Sequence, residues 1–235
     1  MQRYFSNKKI DNTFSLSNDD LYHIKTVMRM KDKENIQVVY EEKPYLCEVR
    51  YVESEIKINI LNDLNQKEEI IPEVTLLIPI LKEQKMDYIL QKATELGVSR
   101  FIPVIMERSV VKVDEKGQKK LDRWKRIVKE ASEQSLRNTI PIIENIVHLK
   151  NLEIEGLKLI CSTVEKENTI KRVFQKRDYC DKISILIGPE GGLSEKEENI
   201  LKEKNFIPVT LGPRIMRVET VPLYLMSIIN YEYME

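Results

Sequence analysis

Ile187-Gly188-Pro189-Glu190-Gly191-Gly192 and Leu211-Gly212-Pro213-Arg214-Ile215-Met216-Arg217-Val218-Glu219-Thr220 lie in one stretch, residues 183–231, and that stretch decides the fold. The chain has 7 Gly and 9 Pro in 235 residues. Gly188, Gly191, Gly192 and Gly212, together with four of the prolines, fall here. Each of the two turns follows an apolar run, 183–187 and 207–211. The pattern reads strand, tight loop, helix, twice over. Glycine admits positive φ and lets a ligand approach the main chain closely. The expectation is a ligand site built from loops at strand ends, although tight turns that merely need Gly and Pro explain either loop taken alone.

Upstream the same rhythm extends back to residue 74. Residues 74–80, 101–105, 140–144 and 157–161 read as strands. Met86, Ile89, Leu90, Ala93 and Leu96 recur at helical spacing, with Gly97 where a C-terminal cap belongs. Leu121, Trp124, Val128 and Ala131 mark one face of a helix over 118–136, and 167–175 reads as a weaker helix. Ser194 and Glu197 form a capping-box pattern opening a helix to about Lys204. Thr220 reads as the N-cap of a last helix, with Pro222 tolerated in its first turn and Val221, Leu225, Ile228 and Ile229 on one face. Alternating strands and helices imply a mostly parallel sheet covered on both sides, with ligands beyond the carboxyl ends of its strands.

Residues 1–70 read differently. Short Val-, Ile- and Tyr-rich runs at 34–39, 45–52 and 55–60, separated by polar turns, indicate a small β-rich domain with one helix over 19–30. The polar segment 62–69 marks the boundary, giving domains 1–70 and 71–235. The bulk numbers exclude several classes. Formal net charge is zero, so the chain as a whole does not announce a nucleic-acid partner. Cys47, Cys161 and Cys180 are widely spaced, and His23 and His148 are the only histidines, which argues against a disulfide framework or a metal site. The opening Met1-Gln2-Arg3-Tyr4-Phe5 carries no apolar signal core, and no apolar run is long enough to span a membrane, so a cytoplasmic location is expected.

The first loop is spaced G-x-x-G-G, so the dinucleotide fingerprint fails. The Walker phosphate loop and the G-x-S-x-G nucleophile elbow are absent as well. The pair of loops, taken together, resembles the SPOUT methyltransferases, and within them the RsmE family, which methylates the N(3) position of a uridine in 16S ribosomal RNA. Lys92-Ala93-Thr94-Glu95-Leu96-Gly97-Val98, Glu130-Ala131-Ser132-Glu133-Gln134-Ser135 with Arg137 and Pro141, Arg3-Tyr4-Phe5, and the segment 23–29 extend the resemblance over nearly the whole chain.

The resemblance implies an α/β SPOUT methyltransferase domain with a deep trefoil knot and a small N-terminal PUA-like β-barrel domain. It implies S-adenosylmethionine as cofactor, held by Ser162, Thr163, Ile187, Gly188, Pro189, Glu190, Gly192, Leu211, Gly212, Ile215 and Met216. It also implies a homodimer, no metal, and 16S rRNA as substrate within the small ribosomal subunit. Arg217 is the candidate to stabilise charge developing on the uracil, with Glu219 orienting it or acting as general base. Arg3 and Arg29 are candidate RNA contacts by resemblance. Lys120, Arg123 and Arg137 belong to a run with eight Lys or Arg between 116 and 137, which reads as a phosphate-binding patch or as a solvated helix face. Four features depart from the family: Met216 for Leu, Val218 for Thr, Val221-Pro222 at the helix start, and Lys33 where glycine is usual. The competing readings are a SPOUT enzyme acting on ribose 2′-O, and a non-catalytic RNA-binding or ribosome-assembly protein.

Overall fold

In the computed structural model, which describes residues 1–53, 55–64, 72–109, 117–176 and 180–233, the chain divides into two compact units. One comprises Met1–Glu68 with Ser132–Ile140, the other Glu69–Ala131 with Pro141–Glu235. Positions 65–69 of the expected boundary segment lie outside the described residues, as do 70 and 71 and Lys116 of the basic run.

The first unit contains β1 (Arg3–Phe5), β2 (Lys8–Ile10), β3 (Thr13–Ser15), α1 (Asn18–Tyr22), β4 (Asn35–Tyr40), β5 (Lys43–Val52) and β6 (Glu55–Asp63). Its sheet runs in the order β1-β4-β5-β6-β3-β2. The pair β1–β4 is parallel and the remaining pairs are antiparallel. The expected barrel is therefore an open path. Its ends, β1 and β2, are three-residue strands that pair with β4 and β3 and not with each other. Tyr4, Phe14, Leu16, Ile24, Ile36, Val38, Cys47, Val49 and Ile58 form the core. The helix expected over 19–30 is present over 18–27 and changes pitch along its length, without a break. Ser17 caps α1 by accepting from the Asp20 amide, and the chain then widens into a π-turn, His23–Val27. His23 is structural, its Nδ1 lying 2.9 Å from the Tyr4 hydroxyl.

Lys33 occupies a backbone conformation that suits glycine. Its φ is +69°, in the left-handed region, while its amide donates to Val49 O at 2.8 Å. A lysine side chain tolerates that backbone only at a steric cost.

The second unit contains β7 (Glu73–Pro79), α2 (Glu83–Glu95), β8 (Arg100–Ile105), most of α3 (Gly117–Gln134), β9 (Ile142–Ile143), β10 (Val147–His148), β11 (Leu157–Cys161), α4 (Ile170–Gln175), β12 (Lys182–Leu186), α5 (Glu195–Glu203), β13 (Ile207–Val209) and α6 (Thr220–Tyr233). Seven strands form one parallel sheet in the order β10-β8-β7-β12-β11-β13, with β9 alongside β8. The strands are apolar along their length because both faces are covered. Leu77, Val104, Ile160 and Leu186 meet Leu201 and Phe206 in one core cluster. Met86, Ile89, Leu90 and Ala93 of α2, and Leu225, Met226 and Ile229 of α6, are likewise buried. Asn230 joins the two helices by donating to Leu96 O at 3.0 Å.

Helix ends follow local chemistry. Gly97, at φ +98°, closes α2 with paired bonds from its own amide to Thr94 O and from Val98 to Ala93 O. Asn205, at φ +63°, closes α5 in the same way. The Ser194–Glu197 capping box is present. Thr220 is the first residue of α6 rather than its cap, and Pro222 sits in the first turn, where its missing amide costs nothing. Among the described residues no helix is long and apolar enough to cross a membrane. The same residues hold no cluster of His, Cys, Asp and Glu that could bind a metal ion.

Lys33→Gly is expected to raise the stability of the first unit by about 1 kcal/mol, since glycine removes the left-handed penalty. Equilibrium denaturation reads this directly. A loss of stability would show that the turn carries no strain.

Candidate active site

Three neighbouring parallel strands, β12, β11 and β13, deliver three loops to one edge of the sheet. Residues 187–192 follow β12, Ser162 and Thr163 follow β11, and Leu211 lies in the segment after β13. Sequence neighbours of these loops are far apart in the chain, and only the strand order makes the loops adjacent.

The first loop is gripped from three sides. Arg108, after β8, donates through Nη1 to Gly191 O at 3.0 Å and Leu193 O at 3.1 Å. Lys85, on α2, donates to Glu190 Oε1 at 2.9 Å. Glu197 accepts from the Ser194 amide at 2.9 Å and from the Glu107 amide at 2.7 Å. The Arg108 and Glu197 bonds satisfy main-chain groups that no helix or strand pairs. Lys85 and Arg108 were not legible from the motif, because their partners lie far along the chain. Burial would raise the Glu190 carboxyl, but the Lys85 hydrogen bond, the Glu190 amide and the charge of Lys82 bring it below its ordinary value. The Glu190 hydrogen bond holds the Lys85 ammonium above its ordinary value against some desolvation, with Glu219 adding to the effect.

The second loop ends at α6. Val218 is buried, so its methyls pack where a hydroxyl would need a partner. Arg217 is exposed, and among the described residues no side chain is bonded to its guanidinium. Glu219 is paired with Lys85 and not with Arg217, its Oε2 standing 3.5 Å from Lys85 Nζ. That distance is an ion pair without hydrogen-bond geometry, and Oε2 is buried with no hydrogen-bond partner. Lys85 thus touches an acidic residue of each loop.

The loops have the shape and chemistry for a nucleoside-bearing ligand. A Cβ on Gly192 (φ +70°) or Gly212 (φ +114°) would meet nothing within 4 Å, so the space beside both backbones is open. Gly188 does not need its conformational freedom, since its φ is not in the left-handed region. Val164, just beyond Ser162 and Thr163, and Ile215 expose apolar surface at 71% and 85%. Main-chain donors and acceptors beside apolar side chains suit an adenine ring. The Ser162 hydroxyl accepts from the amides of Val164 and Glu165, each at 3.2 Å, and so shapes its own turn.

The expected RNA contacts are placed differently from one another. Arg29 is exposed at the end of the π-turn, with φ +50°. Arg3 is 2% exposed, and its guanidinium is spent inside the first unit. It donates to Gln37 Oε1 at 2.7 and 3.0 Å, to Asn138 Oδ1 at 2.7 Å and to Leu136 O. A guanidinium so enclosed has no donor to offer a phosphate, so Arg3 serves as a clamp on the turn after α3. Arg123 pairs with Glu83 and, at 2.5 Å, with Asp87. Lys120 and Arg137 are half-buried. Trp124 is buried at 4%, on the core side of α3.

The match to known proteins agrees with this layout. Residues 67–230 match the RNA methyltransferase domain model. The Bacillus subtilis ribosomal RNA small subunit methyltransferase E is 34% identical, over 99% of this chain and 97% of its own. The Aquifex aeolicus protein of the same name is 36% identical, over 97% and 99%. The chain belongs to the ribosomal RNA small subunit methyltransferase E family. Among solved members, the Neisseria gonorrhoeae enzyme bound to S-adenosyl methionine superposes with TM-score 0.86 at 30% identity, over 99% of this chain and 98% of that one. A Legionella pneumophila protein solved with its cofactor SAM superposes with TM-score 0.88 at 29% identity, over 97% and 96%. The family membership makes the protein an enzyme.

The Lys85–Glu190 pair gives a pH signature. The Glu190 contribution, from a lowered carboxyl, is present above the unfolded value and lost as pH falls. The Lys85 contribution, from a raised ammonium, is present below the unfolded value and lost as pH rises through the folded one. The melting-temperature advantage of wild type over Lys85→Met is therefore expected to be flat between about pH 5 and 10 and to shrink outside that window. An advantage unchanged at about pH 3 would show that the pair does not form.

Proposed function

We propose that the protein uses S-adenosylmethionine to methylate the N(3) position of a uridine in the 16S rRNA of the small ribosomal subunit. The observation that carries this reading is the convergence of three loops at the ends of β12, β11 and β13, open beside Gly192 and Gly212. Family membership supports the same reading, through relatives named as small subunit rRNA methyltransferases and one solved with S-adenosyl methionine.

In this reading Ser162, Thr163, Ile187, Gly188, Pro189, Glu190, Gly192, Leu211, Gly212, Ile215 and Met216 hold the cofactor. When bound, S-adenosylmethionine supplies a methyl group on a sulfonium, displaced with the carbon–sulfur bonding pair leaving on sulfur. The chain's work is positioning and charge control. Glu219 accepts the proton of the uracil N(3)–H through its carboxylate. Arg217, exposed and unengaged by other side chains among the described residues, reaches the negative charge spread over the ring carbonyls. The proton thus leaves the ring as the methyl group arrives.

Several wider features belong to the same reading. Residues 1–70 act as a PUA-like RNA-binding domain and 71–235 as the catalytic one. Arg29, Lys120, Arg123 and Arg137 contact RNA phosphates. Residues 211–233 complete a trefoil knot, and two copies form a dimer, to which the exposed Tyr224 and Tyr231 of α6 contribute apolar surface. The enzyme works in the cytoplasm, where its substrate is.

Small ribosomal subunits from a strain lacking the gene, incubated with the protein and labelled S-adenosylmethionine, should yield labelled 3-methyluridine on digestion and mass spectrometry. A different methylated nucleoside would overturn the target, and no transfer at all would overturn the reading. Arg217→Ala is expected to lower kcat by about 10²- to 10³-fold with cofactor affinity retained. Full turnover at saturating substrate would remove Arg217 from the chemistry.

A further inference from the structure

Between the starts of α2 and α6 lies a cavity of about 400 Å³, lined by Gln84, Lys85, Tyr88, Glu219, Thr220 and Leu223. We propose that this pocket receives the target base, splayed out of the RNA, with Tyr88 covering its face and Gln84, Lys85 and Glu219 reading its polar edge. The proposal rests on the methyltransferase reading above and extends it to how the base is chosen.

The lining suits a flat heterocycle. Tyr88 is 44% exposed, which leaves an aromatic ring at the pocket wall with surface to stack, and Leu223 adds apolar area. The remaining residues bear polar ends. A small pocket with apolar walls and a few convergent polar groups is what a planar ring with one hydrogen-bonding edge requires. A base paired in a helix cannot present that edge, so it must leave the stack to enter.

The polar groups also discriminate. Uracil offers one N–H donor between two carbonyl acceptors. The pocket offers one carboxylate acceptor, Glu219, whose side chain forms part of its lining. It also offers two donor groups, the Gln84 amide and the Lys85 ammonium. Lys85 has three N–H bonds, of which one is directed at Glu190 and a second faces Glu219. A uracil therefore donates N(3)–H to the Glu219 carboxylate and finds donors for its carbonyls. Cytosine presents a lone pair at N(3), which would face the carboxylate directly, and is rejected. The pocket also borders both loops, because Glu219 closes the second and Lys85 holds Glu190 of the first.

The test uses the full-length enzyme and unmethylated small subunits. Gln84→Ala and Tyr88→Ala are each expected to lower kcat/KM for methyl transfer by about tenfold or more, the scale of losing a base-stacking or edge contact. Their S-adenosylmethionine affinities by calorimetry should stay within about twofold of wild type. In addition, 4-thiouridine placed at the mapped target position should photocrosslink to the peptide containing Tyr88. Unchanged kcat/KM in both variants, or a crosslink confined to another region while wild type is active, overturns the pocket. Failure of wild type to label any uridine instead overturns the reading on which the pocket rests.

Discussion

Everything at the candidate site depends on where β12 pairs. Lys182–Leu186 lies between β7 on one side and β11 on the other, in parallel register with both. That placement brings the loop after β12 beside the loop after β11, which in turn adjoins the loop after β13. A strand order that followed the chain would scatter these loops along the sheet edge. The main-chain ladder thus does the work of assembling the site, and the side chains refine it.

The refinement is electrostatic because the loop main chain is polar. A turn rich in glycine and proline leaves carbonyls and amides without regular partners, and these must be satisfied locally. Arg108 supplies donors to two carbonyls, while Glu197 supplies acceptors to two amides. Lys85 then ties Glu190 to Glu219, so the two glycine-bearing segments share one ammonium. A change of charge at Lys85 would reach both loops at once, which neither loop's sequence reveals.

How much of this was legible varied with the range of the interaction. Leu157–Cys161, the Ser194–Glu197 box and the Gly97 cap depend on residues within a few positions, and the sequence reading located each of them. Strands β1, β2 and β3 have three residues each, too few to show alternation. The change from α to π pitch at His23 is one that no propensity marks. Arg3 reads as a surface cation by type and by resemblance, yet its partners at Gln37, Leu136 and Asn138 enclose it. Lys85 and Arg108 acquire their meaning only from Glu190, Gly191 and Leu193, roughly a hundred residues downstream, and no local pattern encodes such pairings.

The central position of β12 also bears on biosynthesis. Glu73–Pro79 emerges early in translation, but the strand that covers its other edge ends at Leu186. Until then the nascent chain carries an almost wholly apolar strand, Val74 to Ile78, with one ladder of amides and carbonyls unpaired. Closure of the sheet waits for most of the chain to leave the ribosome, and contacts this distant in sequence form slowly. The same strand order that gathers the three loops therefore leaves an apolar strand edge unpaired until late in synthesis.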